Sequence, residues 1–352
     1  MKAEMDEAML NVVASGAYIM GPQVDELEQQ LADYVGAKHC ISCANGTDAL
    51  RLALMALGLG SGDAVFVPDF TFFATAEAVA SLGIRPVFVD VDSDTYNMDV
   101  TDLDRKWQQT CAAGHAPAAV IAVDLFGRPA DYDRLADFCN KKRVPLIEDG
   151  AQGFGGSIGG KRACSFGHIG TTSFFPAKPL GCYGDGGALF TDDDYIADML
   201  RSLRVHGKGR DKYDNVRLGL NSRLDTLQAA VLQVKLRHFD SELQAVNRVA
   251  AKYNQLLQGK VQLPKIPDGV VSSWAQYTIQ VEKRDEMQAR LKAAGIPSMV
   301  YYPRTMSRQT AFSHLGQHPC PVADALSHTV LSLPMHPYMT DEEIEFVASS
   351  IC

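Results

Sequence analysis

Short apolar runs rich in β-branched residues punctuate the first 150 positions, and helical stretches separate most of them. HCISC (39–43), AVFV (64–67), PVFVDV (86–91), AAVIAVDLF (118–126) and VPLIED (144–149) lack the polar alternation of a half-exposed strand. Between them lie a helix with Leu50, Ala53, Leu54 and Leu57 on one face, a helix from about Thr71, and another from Tyr132 to Lys141. Strands apolar on both faces and joined through helices predict an α/β fold, with a mainly parallel sheet covered on both sides. Ligands on such sheets bind beyond the carboxyl ends of the strands, and Asp149 ends one of them.

Ahead of this pattern come a short helix-like start, a turn at Gly21-Pro22, and an amphipathic helix carrying Val24, Leu27, Leu31 and Tyr34. Beyond it, Asp194 to Val205 reads as a helix, and Ser222 to Leu257 as long helical stretches with Leu224, Leu227, Ala230, Val231 and Val234 on one face. After Gly259 the chain turns to short strands and turns, with WAQYTIQVE (274–282), a helix over Asp285 to Ala294, and GIPSMVYYP. That shift predicts two domains in the 352 residues: a large α/β domain over 1–235 and a smaller C-terminal α+β domain over 236–352.

Charge and composition exclude several partners. The net charge is −9 with no basic cluster, which argues against nucleic acid, and no uncharged apolar run is long enough to cross a bilayer. The N-terminus MKAEMDEAMLNVV is acidic where a signal peptide is basic, so a cytoplasmic protein is expected. The cysteines, at 40, 43, 111, 139, 164, 182, 320 and 352, follow no repeating interval and read as reduced thiols. Cys40 and Cys43 form a C-x-x-C within a strand, without a second pair; residues three apart on a strand face opposite ways, which disfavours a metal site.

The stretch GTTSFFPAKPLGCYGDGGALFT (170–191) carries the strongest chemical signal. Lys178 stands between apolar strand residues and a run containing Gly181, Gly184, Gly186 and Gly187, and Pro179 disfavours helix at the lysine. Its amine should therefore project from a turn at a strand end. A partly desolvated lysine there can attack a carbonyl; a surface lysine on a Gly-rich hairpin is the simpler alternative. Asn45, Gly46 and Thr47 fall at a helix N-terminus, which suits a phosphate, although ordinary capping by Asn or Thr is the simpler reading of this motif alone. Asp149 could instead cap the following turn, and Phe72 could be core. Together these residues fit pyridoxal 5′-phosphate, which needs a lysine for its aldehyde, an anion at its ring nitrogen and a phosphate cradle. In that arrangement Gln152 would meet the ring hydroxyl, Ser173 the phosphate, and Phe72 the ring face.

At this point the sequence resembles the pyridoxal-phosphate-dependent nucleotide-sugar aminotransferases of the DegT type, with the aspartate aminotransferase (fold type I) architecture. The resemblance covers nearly the whole chain through SCANGTDAL (42–50), PDFTFFATAEAV (68–79), IEDGAQGFG (147–155), TSFFPAKPLGCYGDGGALFT (172–191), VHGKG (205–209), NSRLDTLQAAVL (221–232) and LSLPMHPYM (331–339). It implies that Lys178 bonds the cofactor aldehyde, Asp149 pairs with the pyridine nitrogen, and Gln152 contacts the ring oxygen. It also implies that Gly46, Thr47 and Ser173 hold the phosphate, that Phe72 stacks on the ring, and that Asn221 reaches the phosphate from a neighbouring subunit of a homodimer. Arg223 matches a residue proposed to meet an anionic sugar. The implied reaction passes an amino group from L-glutamate, leaving 2-oxoglutarate, to a keto nucleotide sugar. The branch resembled acts at C3 of a UDP-linked N-acetylhexosaminuronic acid for surface polysaccharide, O-antigen or lipopolysaccharide synthesis. C4-type or dTDP-linked acceptors are the alternative. Sugar dehydratases on this scaffold replace the lysine by histidine, so Lys178 argues against that activity, and the intact Lys178, Asp149 and Gln152 set argues against a non-catalytic regulator. Two departures stand out: Tyr301 replaces the usual histidine, which puts that loop's substrate contacts in question, and Gly150 replaces a commoner alanine, which is expected to loosen the turn.

Overall fold

Residues 1–211, 213–316 and 319–351 are described by a computed structural model of the chain. In chain order the first half comprises α1 (Lys2–Ser15), α2 (Pro22–Val35), β1 (His39–Cys43), α3 (Gly46–Ala56), β2 (Asp63–Pro68), α4 (Phe73–Ser81), β3 (Arg85–Val89), α5 (Val100–Ala112), β4 (Ala116–Val123), α6 (Tyr132–Lys142) and β5 (Leu146–Asp149). A small hairpin follows, β6 (Ser157–Ile158) and β7 (Lys161–Arg162), and then β8 (Ile169–Ser173), β9 (Gly187–Thr191), α7 (Asp194–Leu203) and the long α8 (Thr226–Leu257). The remainder is β10 (Val270–Val271), β11 (Tyr277–Gln280), α9 (Arg284–Ala293), α10 (Pro321–Thr329), β12 (Val330–Leu333) and α11 (Asp341–Ser349).

Seven strands form one sheet in the order β1-β9-β8-β5-β4-β2-β3. The pairs β8–β5, β5–β4, β4–β2 and β2–β3 are parallel, while β9 runs antiparallel to both β1 and β8. The expected apolar strands are buried for the reason their composition suggests. Val65, Val67, Ile121 and Ile147 pack on one face beneath α3, α4 and α7. Phe66, Val120, Ala122 and Leu146 pack on the other with Leu103 of α5 and Leu135 of α6. Cys43 joins the first of these cores and Cys40 a separate one with α2 and α8, so the C-x-x-C is split between two faces of β1. Cys352 lies outside the described residues, and none of the seven other cysteines is paired in a disulfide.

Two sequence expectations are corrected. The long helix starts at Thr226, after Asp225, so Asn221 and Arg223 precede it rather than opening it. Asn221 instead bridges Val205 through its backbone. The segment GALFT, read only as the end of a glycine-rich run, is strand β9. The division between 235 and 236 falls inside α8, whose first half packs Ala229 and Leu232 into the core with α2 and whose second half packs Val249 and Tyr253 against β11 and β12. Farther on, Met306, Phe312, Ala323 and Leu326 return to the core under the main sheet.

Candidate active site

Asp149 ends β5 in the middle of the parallel sheet and is buried, with 6% of its surface exposed. The Thr75 hydroxyl donates to its Oδ2 (2.8 Å), and the Ala151 N–H donates to Oδ1 (3.2 Å). Burial pushes its carboxyl above the ordinary aspartate range, while Thr75, the Ala151 N–H and nearby Lys178 pull it back down. It is therefore an oriented carboxylate facing a cavity, and through the Ala151 N–H it also caps the turn that follows β5.

Lys178 lies in the turn after β8, its N–H donating to the Phe175 carbonyl (2.8 Å), and its amine enters the cavity beside Asp149. The amine is 6.0 Å from the centre of the Phe72 ring. Burial lowers its pKa below the usual lysine range, and the Asp149 charge opposes that shift. An amine so placed spends more time uncharged than a solvated one, which a nucleophile requires.

On another side of the same cavity, α3 points its N-terminus inward. Asn45 caps it by accepting from the Asp48 N–H (2.8 Å), which leaves the earlier N–H groups of Gly46 and Thr47 without an acceptor among the described residues. Ser173, at the end of β8, lies against Gly46 so closely that a Cβ there would come 2.7 Å from the serine Cβ. Gly187 is equally constrained: a Cβ would sit 2.6 Å from the Asn45 carbonyl. Both glycines let two strand ends close on the helix terminus, forming an anion cradle.

The cavity encloses about 350 Å³ and is lined by Gly46, Thr47, Phe72, Asp149, Gln152, Ser173, Lys178 and Tyr301 together with Thr71 and Tyr302. Phe72 caps α4 and is 53% exposed, as a cover over this space and not as core. Gln152 accepts from the Phe126 N–H (2.7 Å) and donates to the Tyr302 hydroxyl (3.1 Å), leaving one amide hydrogen for a ligand. A second cavity of about 680 Å³ adjoins the first at Lys178 and Tyr301 and extends along His336 and Tyr338. Asn221 and Arg223 line neither cavity; Asn221 is exposed, and Arg223 is half-buried without an ion pair among the described residues.

Thr75 and Tyr302 were not singled out from sequence. Thr75 stands three residues after Phe72, on the same helical face, and Tyr302 is the second tyrosine of VYYP. At Gly150 a Cβ would come 2.5 Å from the Cys164 sulfur. The glycine makes room for that cysteine. A carboxylate, a desolvated lysine and a cradle of free N–H groups around one cavity fit pyridoxal 5′-phosphate, whose nitrogen, aldehyde and phosphate need those three partners.

Comparison with known proteins gives the same reading. The family model described as the DegT/DnrJ/EryC1/StrS aminotransferase family matches residues 1–352. A UDP-2-acetamido-2-deoxy-3-oxo-D-glucuronate aminotransferase of Pseudomonas aeruginosa is 47% identical over 351 residues, covering 99% of this chain and 96% of its own. A UDP-N-acetyl-3-dehydro-alpha-D-glucosamine 3-aminotransferase of Acidithiobacillus ferrooxidans is 42% identical, covering 97% of this chain and 90% of its own. The crystal structure of a DegT/DnrJ/EryC1/StrS aminotransferase from Brucella abortus superposes with a TM-score of 0.98 at 50% identity, over 99% of this chain and 95% of that one. The protein has the pyridoxal-phosphate-dependent transferase fold, and pyridoxal 5′-phosphate is its cofactor. Along its whole length the chain belongs to the DegT/DnrJ/EryC1/StrS aminotransferase family.

Proposed function

We propose that this aminotransferase moves the amino group of L-glutamate to the C3 ketone of a UDP-linked N-acetylhexosaminuronic acid, as a step in surface polysaccharide synthesis in the cytoplasm. The observation that carries the reading is the pairing of Lys178 with the buried Asp149 across a cavity closed by the N-terminus of α3. The substrate class is supported by the two relatives, both named for amination of a 3-keto UDP sugar.

Bound pyridoxal 5′-phosphate supplies an aldehyde that takes up amines and a ring that accepts the electrons of a broken C–H bond. In the proposed arrangement Asp149 holds the proton on the ring nitrogen, kept in place by Thr75 and the Ala151 N–H. Gly46, Thr47 and Ser173 hold the phosphate, Phe72 covers one ring face, and the remaining Gln152 amide hydrogen meets the ring oxygen. Lys178 would bond the cofactor aldehyde, and its desolvated amine is placed to accept and return a proton beside it.

Asn221 and Arg223 lie away from this chain's own cavities, which supports their serving a neighbour in a homodimer with shared sites. There Asn221 of the partner subunit would bind phosphate, and Arg223 of the partner subunit would clamp the uronate carboxylate through two parallel hydrogen bonds. Tyr301, at the junction of the two cavities, contacts the sugar in place of the histidine. The arginine favours a uronate over the uncharged sugar of the second relative.

The test is turnover of purified protein with glutamate against a panel of keto sugar nucleotides, with products identified by mass and NMR. Amination at C3 of the UDP-linked uronate is expected. Arg223→Gln should raise KM for the uronate more than for the uncharged UDP-3-keto sugar. Preferential amination of a dTDP-4-keto sugar would overturn the substrate assignment.

A further inference from the structure

Behind the sheet, opposite the cofactor cavity, two carboxyl groups are buried together, with no cation paired to either among the described residues. Asp124 follows β4, Glu148 precedes Asp149 on β5, and both side chains are 0% exposed. The titratable groups facing them are Tyr132 on α6 and Cys164 in the loop after β7, both of them acids. Two carboxylates in such a place cannot both be charged, since neither solvent nor a cation offsets the second charge.

The hydrogen bonds say where the proton sits. Glu148 accepts through both oxygens: the Cys164 N–H donates to Oε1, and the N–H groups of Phe166 (2.7 Å) and Gly167 (3.4 Å) donate to Oε2. Asp124 accepts through Oδ1 only, from the Ala130 N–H (3.0 Å) and the Tyr132 hydroxyl (2.7 Å). Its Oδ2 is buried with no donor, and the group facing Asp124 is the Glu148 carboxylate. A proton on Asp124 Oδ2, donated to Glu148, satisfies this otherwise orphaned atom.

The pair is wired to the site. The Asp124 N–H donates to the Asp149 carbonyl (3.1 Å). Two residues on, the Phe126 N–H donates to the side-chain amide oxygen of Gln152 (2.7 Å). Gly153 passes so close that a Cβ there would come 2.2 Å from Asp124 Oδ2. We propose that Asp124 is a positioning residue that carries a proton on Oδ2 at neutral pH, shares it with Glu148, and by this bond fixes the strand ends presenting Asp149 and Gln152 to the cofactor. The positioning rests on the cofactor contacts proposed above; the shared proton does not.

Burial holds both carboxyls above their ordinary ranges. A raised acid contributes stability below its unfolded value of about 3.8 that is lost as pH rises toward its folded value. Asp124→Asn keeps a neutral donor facing Glu148 and removes that loss. Its melting temperature should therefore gain on the wild type as pH is raised from about 5 to about 9. Infrared spectra of the wild type at neutral pH should contain the carbonyl stretch of a protonated buried acid, absent from Asp124→Asn. Cofactor affinity, titrated by absorbance, should be near wild type in Asp124→Asn. It should fall about tenfold or more in Asp124→Ala, which lacks the donor, and in Glu148→Gln, whose amide hydrogens would meet backbone N–H groups. If the two unpaired variants do not fold, the infrared band and the melting comparison still decide the proton. No such band, or an Asp124→Asn melting advantage that does not grow with pH, overturns the shared proton. Unchanged cofactor affinity in folded Asp124→Ala overturns the positioning role even if the proton is present, and neither result depends on the sugar substrate.

Discussion

Lys178 and Asp149 have opposite shifts from one cause. Burial lowers the lysine and raises the aspartate, and each partly restores the charged form of the other. Asp149→Asn, which removes the anion but keeps the shape, should slow the glutamate half-reaction by about 10²–10³-fold or more while cofactor remains bound. In the wild type, protonation of Asp149 should switch the half-reaction off as pH falls. Stopped-flow profiles of the Asn variant should lack that acid limb. Near-normal rates in that variant would make the aspartate structural. The lysine, the aspartate and the cradle could be read from sequence because strand ends, a proline and a helix start mark their positions. Thr75 and Tyr302 could not, since their contacts to Asp149 and Gln152 join residues 74 and 150 positions apart.

At the scale of elements, the start of α3 connects fold to site. Asn45 caps it, and Gly187 of β9 packs against the Asn45 carbonyl. Asn45→Ala should cost about 1 kcal/mol of stability, measured by denaturant unfolding. Gly187→Ala should push the cap aside and weaken cofactor binding, with the half-reaction rate restored at saturating cofactor. Loss of rate that added cofactor does not recover would separate β9 from the cradle. The buried parallel strands were legible because two covering layers of helix require unbroken apolar runs. β9 was less legible: its antiparallel pairing with β1 and β8 brings together residues far apart in sequence, and its leading glycines read as a loop. The start of α8 was misplaced because Leu224 continues its apolar pattern, although the backbone there is still tied to Arg204 by the Ser222 N–H.

For the whole molecule, the proposed sharing of sites across a homodimer makes a prediction about mixtures. A Lys178→Ala chain and an Asn221→Ala, Arg223→Ala chain, each nearly inactive, should recover an appreciable fraction of activity once their subunits exchange, because one site of each heterodimer is then wild type. Demonstrated exchange without recovery would show that the sites are not shared. The central claim, that this cavity takes an amino group from glutamate through Lys178 and holds it for a second substrate, is tested most directly without any sugar. Purified enzyme carrying pyridoxal 5′-phosphate is mixed with glutamate alone, and the cofactor absorbance and 2-oxoglutarate are followed together. The account predicts conversion of the bound cofactor to its amino form with about one 2-oxoglutarate released per site, and neither change in Lys178→Ala. An unchanged cofactor spectrum in the wild type, or full conversion in the variant, would contradict it.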